Sequence, residues 1–251
     1  MSRRQILGFY VGSLARGHCI HHTRPRSTYR QHLLCTFNPL LQRTIRPDSL
    51  QTDPCGLQLF HLLSHTNGSG GATLLVDGFY AASVLKEVNP NAYELLSTIP
   101  IKTHAAGEPG ILFTPDPPSG YPVLNHDPHT KELYQVRWNN DDRSVLNHIA
   151  PELVDKYYDA LRAWYETITS PDSEYWVQLQ PGTAVVVDNH RVMHGRSAFD
   201  GKRRMCGAYI GADEYRSKLA ALTEKFNPDP VVKAAGAESV VEGRSIWHPS
   251  L

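Results

Sequence analysis

Residues 185–209, VVVDNHRVMHGRSAFDGKRRMCGAY, run from a β-branched stretch into His190, His194, Arg196, Arg203, Arg204 and Tyr209. Imidazole is the commonest protein ligand for metals, and a guanidinium fork matches a carboxylate. If these side chains converge, they make a site for a metal and an anion; if they do not, they are a solvated basic hairpin. On an extended chain at ~3.3 Å per residue His190 and His194 share a face but lie roughly 13 Å apart. A helix would let that i, i+4 pair chelate, and the VVVDN run argues against a helix. At most one of the two belongs to a mononuclear site. The plain alternative for His194 is a strand-end histidine bonded to backbone.

After His194-Gly195-Arg196 an AFDGK turn reverses the chain, and Arg203 opens the next strand. A hairpin of that length places His194 and Arg203 near each other, facing a common interior. A metal-binding imidazole beside a fixed guanidinium suits a dicarboxylate such as 2-oxoglutarate, chelated at one end and held by arginine at the other. Adjacent strand residues face opposite ways, so only one of Arg203 and Arg204 points inward. Parity with Cys206 and Tyr209 does not say which.

The elements that must position this segment are short and well punctuated. GLQLFHLLSH (56–65) and ATLLVDG (72–78) read as strands joined across NGSGG into a hairpin. FYAASVLKEV and NAYELLSTI read as helical pieces split at Asn89-Pro90. ILFT (111–114), PVLN (122–125) and ELYQVRWNN (132–140) follow as strands. Pro151 opens the strongest helix, with Leu153, Val154, Tyr157, Leu161, Trp164 and Ile168 at helical spacing. A turn at Pro181-Gly182 leads into the VVVDN strand, RMCGAYIG is another strand, and DEYRSKLAAL is a short helix. Many short strands with one long helix outside indicate a mainly β fold with helical insertions, a barrel or a double-sheet roll. No strand runs through a glycine-rich turn into a helix, which argues against a dinucleotide fold.

The whole chain, 251 residues with 41% hydrophobic and 20% charged, has zero formal net charge. That excludes an electrostatic case for nucleic acid, and no apolar run approaches a membrane span. The average hides a break. Residues 1–51 hold eight arginines, no lysine and one acid, Asp48, whereas residues from 52 onward hold 17 Lys+Arg against 24 Asp+Glu. Four scattered cysteines make neither a disulfide framework nor a zinc site and fit a reducing compartment. The Arg-rich, acid-poor start resembles a transit peptide more than a secretory signal. The expected location is cytoplasmic or mitochondrial, not secreted.

The string DNHRVMHGRSAFDGKRRMCGAYI resembles the C-terminal signature of the Fe(II)/2-oxoglutarate dioxygenases of carnitine biosynthesis, a TauD-like family. TDPCGLQLFHLL (52–63), GGATLLVDGFYAA (70–82), KELYQVRWNNDDRS (131–144) and YWVQLQPG (175–182) resemble it in the same order. The likeness covers roughly residues 52–222. It implies a double-stranded β-helix, or jelly roll, with Fe(II) as metal, 2-oxoglutarate as cosubstrate, ascorbate as reductant and a homodimer as assembly. LLVDGFYAA and RMCGAYIGADEY look closer to members hydroxylating Nε-trimethyllysine at C3, the first step of carnitine biosynthesis, than to those acting on γ-butyrobetaine. By position His194 matches the distal iron histidine and Arg203 the arginine on the remote carboxylate of 2-oxoglutarate. Asn139 and Asn140 match an Asn pair near the cosubstrate. Tyr209 matches a wall of the aromatic cage around the trimethylammonium group, a device suited to a charge with no hydrogen to donate. The family usually has Trp where this chain has His190, which is therefore a departure and not a ligand.

Such enzymes hold iron with two histidines and one carboxylate, the first pair as H-x-D or H-x-E. Counting back from Asp53, that slot falls at residues 45–47, here Ile45-Arg46-Pro47, and no histidine in the chain has an acid two places on. His126-Asp127-Pro128 has the wrong spacing. His32, His22 and Asp48 are substitutes without positional support. The expectation is one recognisable ligand of three, and a roll incomplete at its N-terminal side. No counterpart is expected to the family's N-terminal zinc-binding domain. Residues 1–51 then read as an atypical segment from a shifted frame or mistaken exon boundary, residues 52–225 as the dioxygenase-like domain, and 226–251 as a loosely ordered tail. A catalytically inactive relative that only binds 2-oxoglutarate or a quaternary ammonium is the competing reading.

Overall fold

The computed structural model describes residues 9–13, 52–104, 117–140 and 143–226. It divides into two compact units, Met1–Tyr209 and Ile210–Leu251. Among the described residues there are nine strands and four helices. The strands are β1 (Phe9–Ser13), β2 (Leu57–Thr66), β3 (Thr73–Asp77), β4 (Leu124–His126), β5 (Leu133–Val136), β6 (Glu174–Val177), β7 (Thr183–Asp188), β8 (Val192–Arg196) and β9 (Lys202–Ile210). The helices are α1 (Gly78–Val88), α2 (Pro90–Thr98), α3 (Pro151–Ile168) and α4 (Ala212–Phe226). The expected strand at 111–114, the slot at 45–47 and the tail from 227 lie outside the described residues.

The strands form a four-stranded sheet in the order β1-β7-β2-β9, a three-stranded sheet in the order β6-β3-β8, and the pair β4-β5. Strand β3 separates two cores. All five of its residues are buried, as expected when both faces of the apolar run at residues 74–76 are covered. Leu74 and Val76 point into a cluster with Leu85, Leu96, Tyr157, Leu161 and Trp164 from α1, α2 and α3. Leu75 points the other way, into a cluster with Leu62, Val185, Val187 and Val192, with Phe60 and Met205 packed against it. That second cluster draws on β2, β7 and β9 of one sheet and β3 and β8 of the other, so it fills the space between the sheets. Burying each such Leu or Val contributes about 1.5–3 kcal/mol.

Two expected hairpins are not hairpins. Strand β2 pairs with β7, and β3 pairs with β6 and β8, so NGSGG carries the chain from one sheet to the other. The AFDGK turn does the same between β8 and β9. The reason is long-range: β3, buried on both faces, takes a partner at each edge, and β2 is already flanked by β7 and β9. The two crossovers lie side by side. The Gly71 amide donates to the Ala198 carbonyl at 2.9 Å and the Asp200 amide to the Ser69 carbonyl at 3.1 Å. The Ser69 amide and hydroxyl both donate to the Asp200 carboxylate. A Cβ on Gly68 would sit 2.3 Å from the Asp200 carbonyl oxygen, so glycine is required by this approach.

Other expectations hold with shifted ends. Helix α3 begins at Pro151 and buries Tyr157, Leu161, Trp164 and Ile168. The strand expected over 132–140 stops at Val136, because its partner β4 is only three residues long and the register slips at Asn125/His126. A turn over residues 189–191 separates β7 from β8, so His190 and His194 do not share one extended strand.

Candidate active site

His194 lies on β8 opposite Leu75 of β3, and therefore faces the space between the sheets. Its ring meets Phe60 of β2 edge-on, with centroids 5.0 Å apart, so a residue of one sheet touches a residue of the other. Nδ1 is buried with no hydrogen-bond partner. Burial pushes the imidazole down to about 4, opposed by the backbone of Val192, so the ring is neutral at ordinary pH. A neutral imidazole with an unused nitrogen is the form that binds a metal.

Arg203 enters the same interior from the opposite sheet. On β9 it shares parity with Met205, which joins the inter-sheet cluster, while Arg204 is exposed. The inward arginine is thus Arg203. Its Nη2 donates to the Gly71 carbonyl at 3.4 Å, and its Nε is buried without a partner. The guanidinium sits 5.7 Å from the Phe199 centroid. Burial, and then the neighbouring Arg196 charge, lower its pKa. His194 and Arg203 lie on strands of two different sheets, each at a position sharing the face of the inter-sheet cluster, and not on the two arms of a hairpin.

His190 occupies a different environment. Its Nε2 lies 3.0 Å from the Pro54 carbonyl, a bond in which the ring nitrogen donates, and it ties the turn after β7 to the TDPCG segment. Asn189 Nδ2 donates to the Cys55 carbonyl at 3.0 Å beside it. Asn139, 8% exposed, lines a small cleft with Tyr121, Arg137, Trp138 and Arg143. Arg137 stacks over Tyr121 at 4.2 Å. Asn140 Oδ1 accepts from Arg143 Nη2 at 3.5 Å. Neither His194 nor Arg203 belongs to the lining of that cleft. Tyr209 shares the parity of Arg203 at the end of β9 and is 38% exposed.

Among the described residues no three His, Cys, Asp or Glu side chains gather around a metal position. His194 suits one metal–nitrogen bond, but nothing described beside it completes a two-histidine, one-carboxylate set. One residue with no role assigned from the sequence lies near Arg203, its guanidinium 4.5 Å from the Phe199 centroid: Arg196. It stands two positions from His194 on β8, and that parity was the available signal.

Comparison with known proteins gives the family of the chain. The profile of the taurine catabolism dioxygenase TauD, TfdA family matches residues 22–209, a span that opens ahead of the first family-like string at residue 52. The chain belongs to that family. It is 46% identical over 184 residues to the trimethyllysine dioxygenase of Meyerozyma guilliermondii, covering 73% of this chain and 45% of that protein. It is 28% identical over 176 residues to the human γ-butyrobetaine dioxygenase, covering 68% and 44% respectively. The chain thus spans under half the length of these curated relatives. Among solved structures, the non-heme iron oxygenase OrfP in complex with Fe, succinate and (3S)-hydroxy-L-Arg aligns with a TM-score of 0.49 at 19% identity, over 72% of this chain and 52% of that one. No helix among the described residues is long and apolar enough to cross a membrane.

Proposed function

We propose that the chain is a 2-oxoglutarate-dependent dioxygenase built on a double-stranded β-helix, which hydroxylates Nε-trimethyllysine at C3. The observation that supports this reading is the placement of His194 on β8 and Arg203 on β9, strands of different sheets, each on the face that carries the inter-sheet cluster. Arg203 offers a half-buried fork to the remote carboxylate of 2-oxoglutarate, and its partial burial strengthens that contact relative to water. His194 is held neutral with a free nitrogen. The choice of trimethyllysine over γ-butyrobetaine is supported by the higher identity to the trimethyllysine dioxygenase. Fe(II) is the metal this reading requires. Its further ligands would come from outside the described residues, where His22, His32 and Asp48 are donors. Asn139 and Asn140 near the cosubstrate, and Tyr209 as a cage wall, are parts of the same proposal.

The test is turnover by the full chain with Fe(II), 2-oxoglutarate and ascorbate, reading succinate and the hydroxylated product by mass spectrometry. Product from trimethyllysine above that from γ-butyrobetaine is expected, and the reverse order would overturn the substrate assignment. A second reading, a binder without turnover, is favoured by one observation: residues 45–47 are Ile45-Arg46-Pro47 and His194 has no described co-ligand. Retained 2-oxoglutarate binding with no succinate formed would select it.

A further inference from the structure

Arg196 ends β8 opposite Thr73, one inward position beyond the pair His194–Leu75. Arg203 donates to the carbonyl of Gly71, two residues further along the same direction. Read along β3, the order is therefore His194, Arg196, Arg203, and a molecule stretched from the first to the last passes the second. Arg196 lies with its guanidinium 4.5 Å from the Phe199 centroid, the ring that also holds Arg203 at 5.7 Å. Its Nη1 is buried and makes no hydrogen bond, as is true of Nε of Arg203. Neither arginine has an ion pair among the described residues; the salt bridges there are Arg162–Asp159 and Arg191–Asp77. Two half-buried cations beside one ring, each with a buried N–H group that makes no hydrogen bond, are better satisfied when an anion joins them.

We infer that Arg196 is a second carboxylate-binding residue of this site, acting with Arg203 on the remote carboxylate of a keto-diacid. The inference rests on the 2-oxoglutarate reading above and extends it to a residue with no assigned role. Paired guanidinium groups select for a second negative charge, so the site discriminates diacids from keto-monoacids. Phe199 is then a positioning residue, whose ring fixes the direction of both forks.

The experiment compares binding of 2-oxoglutarate and of 2-oxobutanoate, which lacks the remote carboxylate, to the full chain by saturation-transfer NMR and calorimetry. Arg196→Gln should weaken 2-oxoglutarate by about 10-fold or more, the scale of a lost charge-assisted bond, and leave 2-oxobutanoate within about twofold. Arg196→Lys, which keeps the charge and loses the fork, should fall between. Equal weakening of both acids would mean that Arg196 only supports the fold, and no change in either would mean that it does not touch the ligand. Either result overturns the inference while leaving Arg203→Gln free to show its own selective loss. An unaltered chain that binds 2-oxoglutarate no better than 2-oxobutanoate would overturn both the diacid reading and the inference.

Discussion

Arg191 and the pair Arg196 and Arg203 stand within thirteen positions of each other, yet their charges are handled in opposite ways. Arg191 faces Asp77, with Nε 3.0 Å from Oδ1 and Nη2 2.7 Å from Oδ2. The same carboxylate caps α1, accepting from the Phe79 and Tyr80 amides. The Gly78 amide donates to the Arg191 carbonyl at 2.9 Å, and a Cβ on Gly78 would meet that oxygen at 2.8 Å. Every strong group at this joint is satisfied within the chain, and the bond to Asp77 raises the Arg191 pKa. At Arg196 and Arg203 burial lowers the pKa, and buried N–H groups lack acceptors. Satisfied charge locks β3, α1 and the start of β8 together; at Arg196 and Arg203 buried N–H groups stay unpaired.

Substitutions can break this contrast in order of effect. Asp77→Ala removes a nearly buried carboxylate, a helix cap and the partner of Arg191, and should lower unfolding free energy by about 3 kcal/mol in urea titration. Arg203→Met should leave urea stability unchanged or raised, since no carboxylate in the described chain depends on it, while weakening 2-oxoglutarate about 100-fold by calorimetry. If Arg203→Met destabilised as much as Asp77→Ala, the two regions would not differ in kind. Gly68→Ala presses a methyl against the Asp200 backbone where the crossovers meet, and should cost about 1–3 kcal/mol by thermal unfolding.

The smallest effect concerns His126, which is legible in the structure alone. Nδ1 lies 3.1 Å from the Leu124 carbonyl and Nε2 2.7 Å from the Tyr93 hydroxyl, so the neutral ring donates at Nδ1 and accepts at Nε2. Partial burial is the main reason its pKa is lowered from 6.5. A histidine depressed in the folded state binds its proton more readily when unfolded, so its contribution is present above 6.5 and fades as pH falls below that value. Imidazole chemical shifts followed by NMR should titrate below the free-histidine range in the native chain and stay below it in Tyr93→Phe, since burial and not the hydroxyl is the main cause.

Local signals in the sequence were sufficient for single elements. Pro151 with its apolar spacing defined α3, and Pro181-Gly182 the entry to β7. Signals that depend on distant partners were not sufficient. A glycine-rich turn of a few residues looks the same whether it folds a hairpin or crosses between sheets, and only the pairing of β3 with β6 and β8 decides. Parity limited the inward arginine to Arg203 or Arg204, but the choice came from Met205 joining the apolar interior. The reading of RWNN as strand failed because β4 is too short to extend the ladder. His194 and Arg203 were named from family-like strings, and the structure puts them on strands of two different sheets. Arg196 carried the right parity, yet its lack of an ion pair among the described residues appears only in the structure.

The most direct measurement is a crystal structure of the chain with 2-oxoglutarate. The account predicts one end of the keto-diacid beside His194 Nδ1 and the far carboxylate on the guanidinium of Arg203, between the two sheets. A diacid bound outside that interior, or with Arg203 turned to the far side of β9, would contradict it.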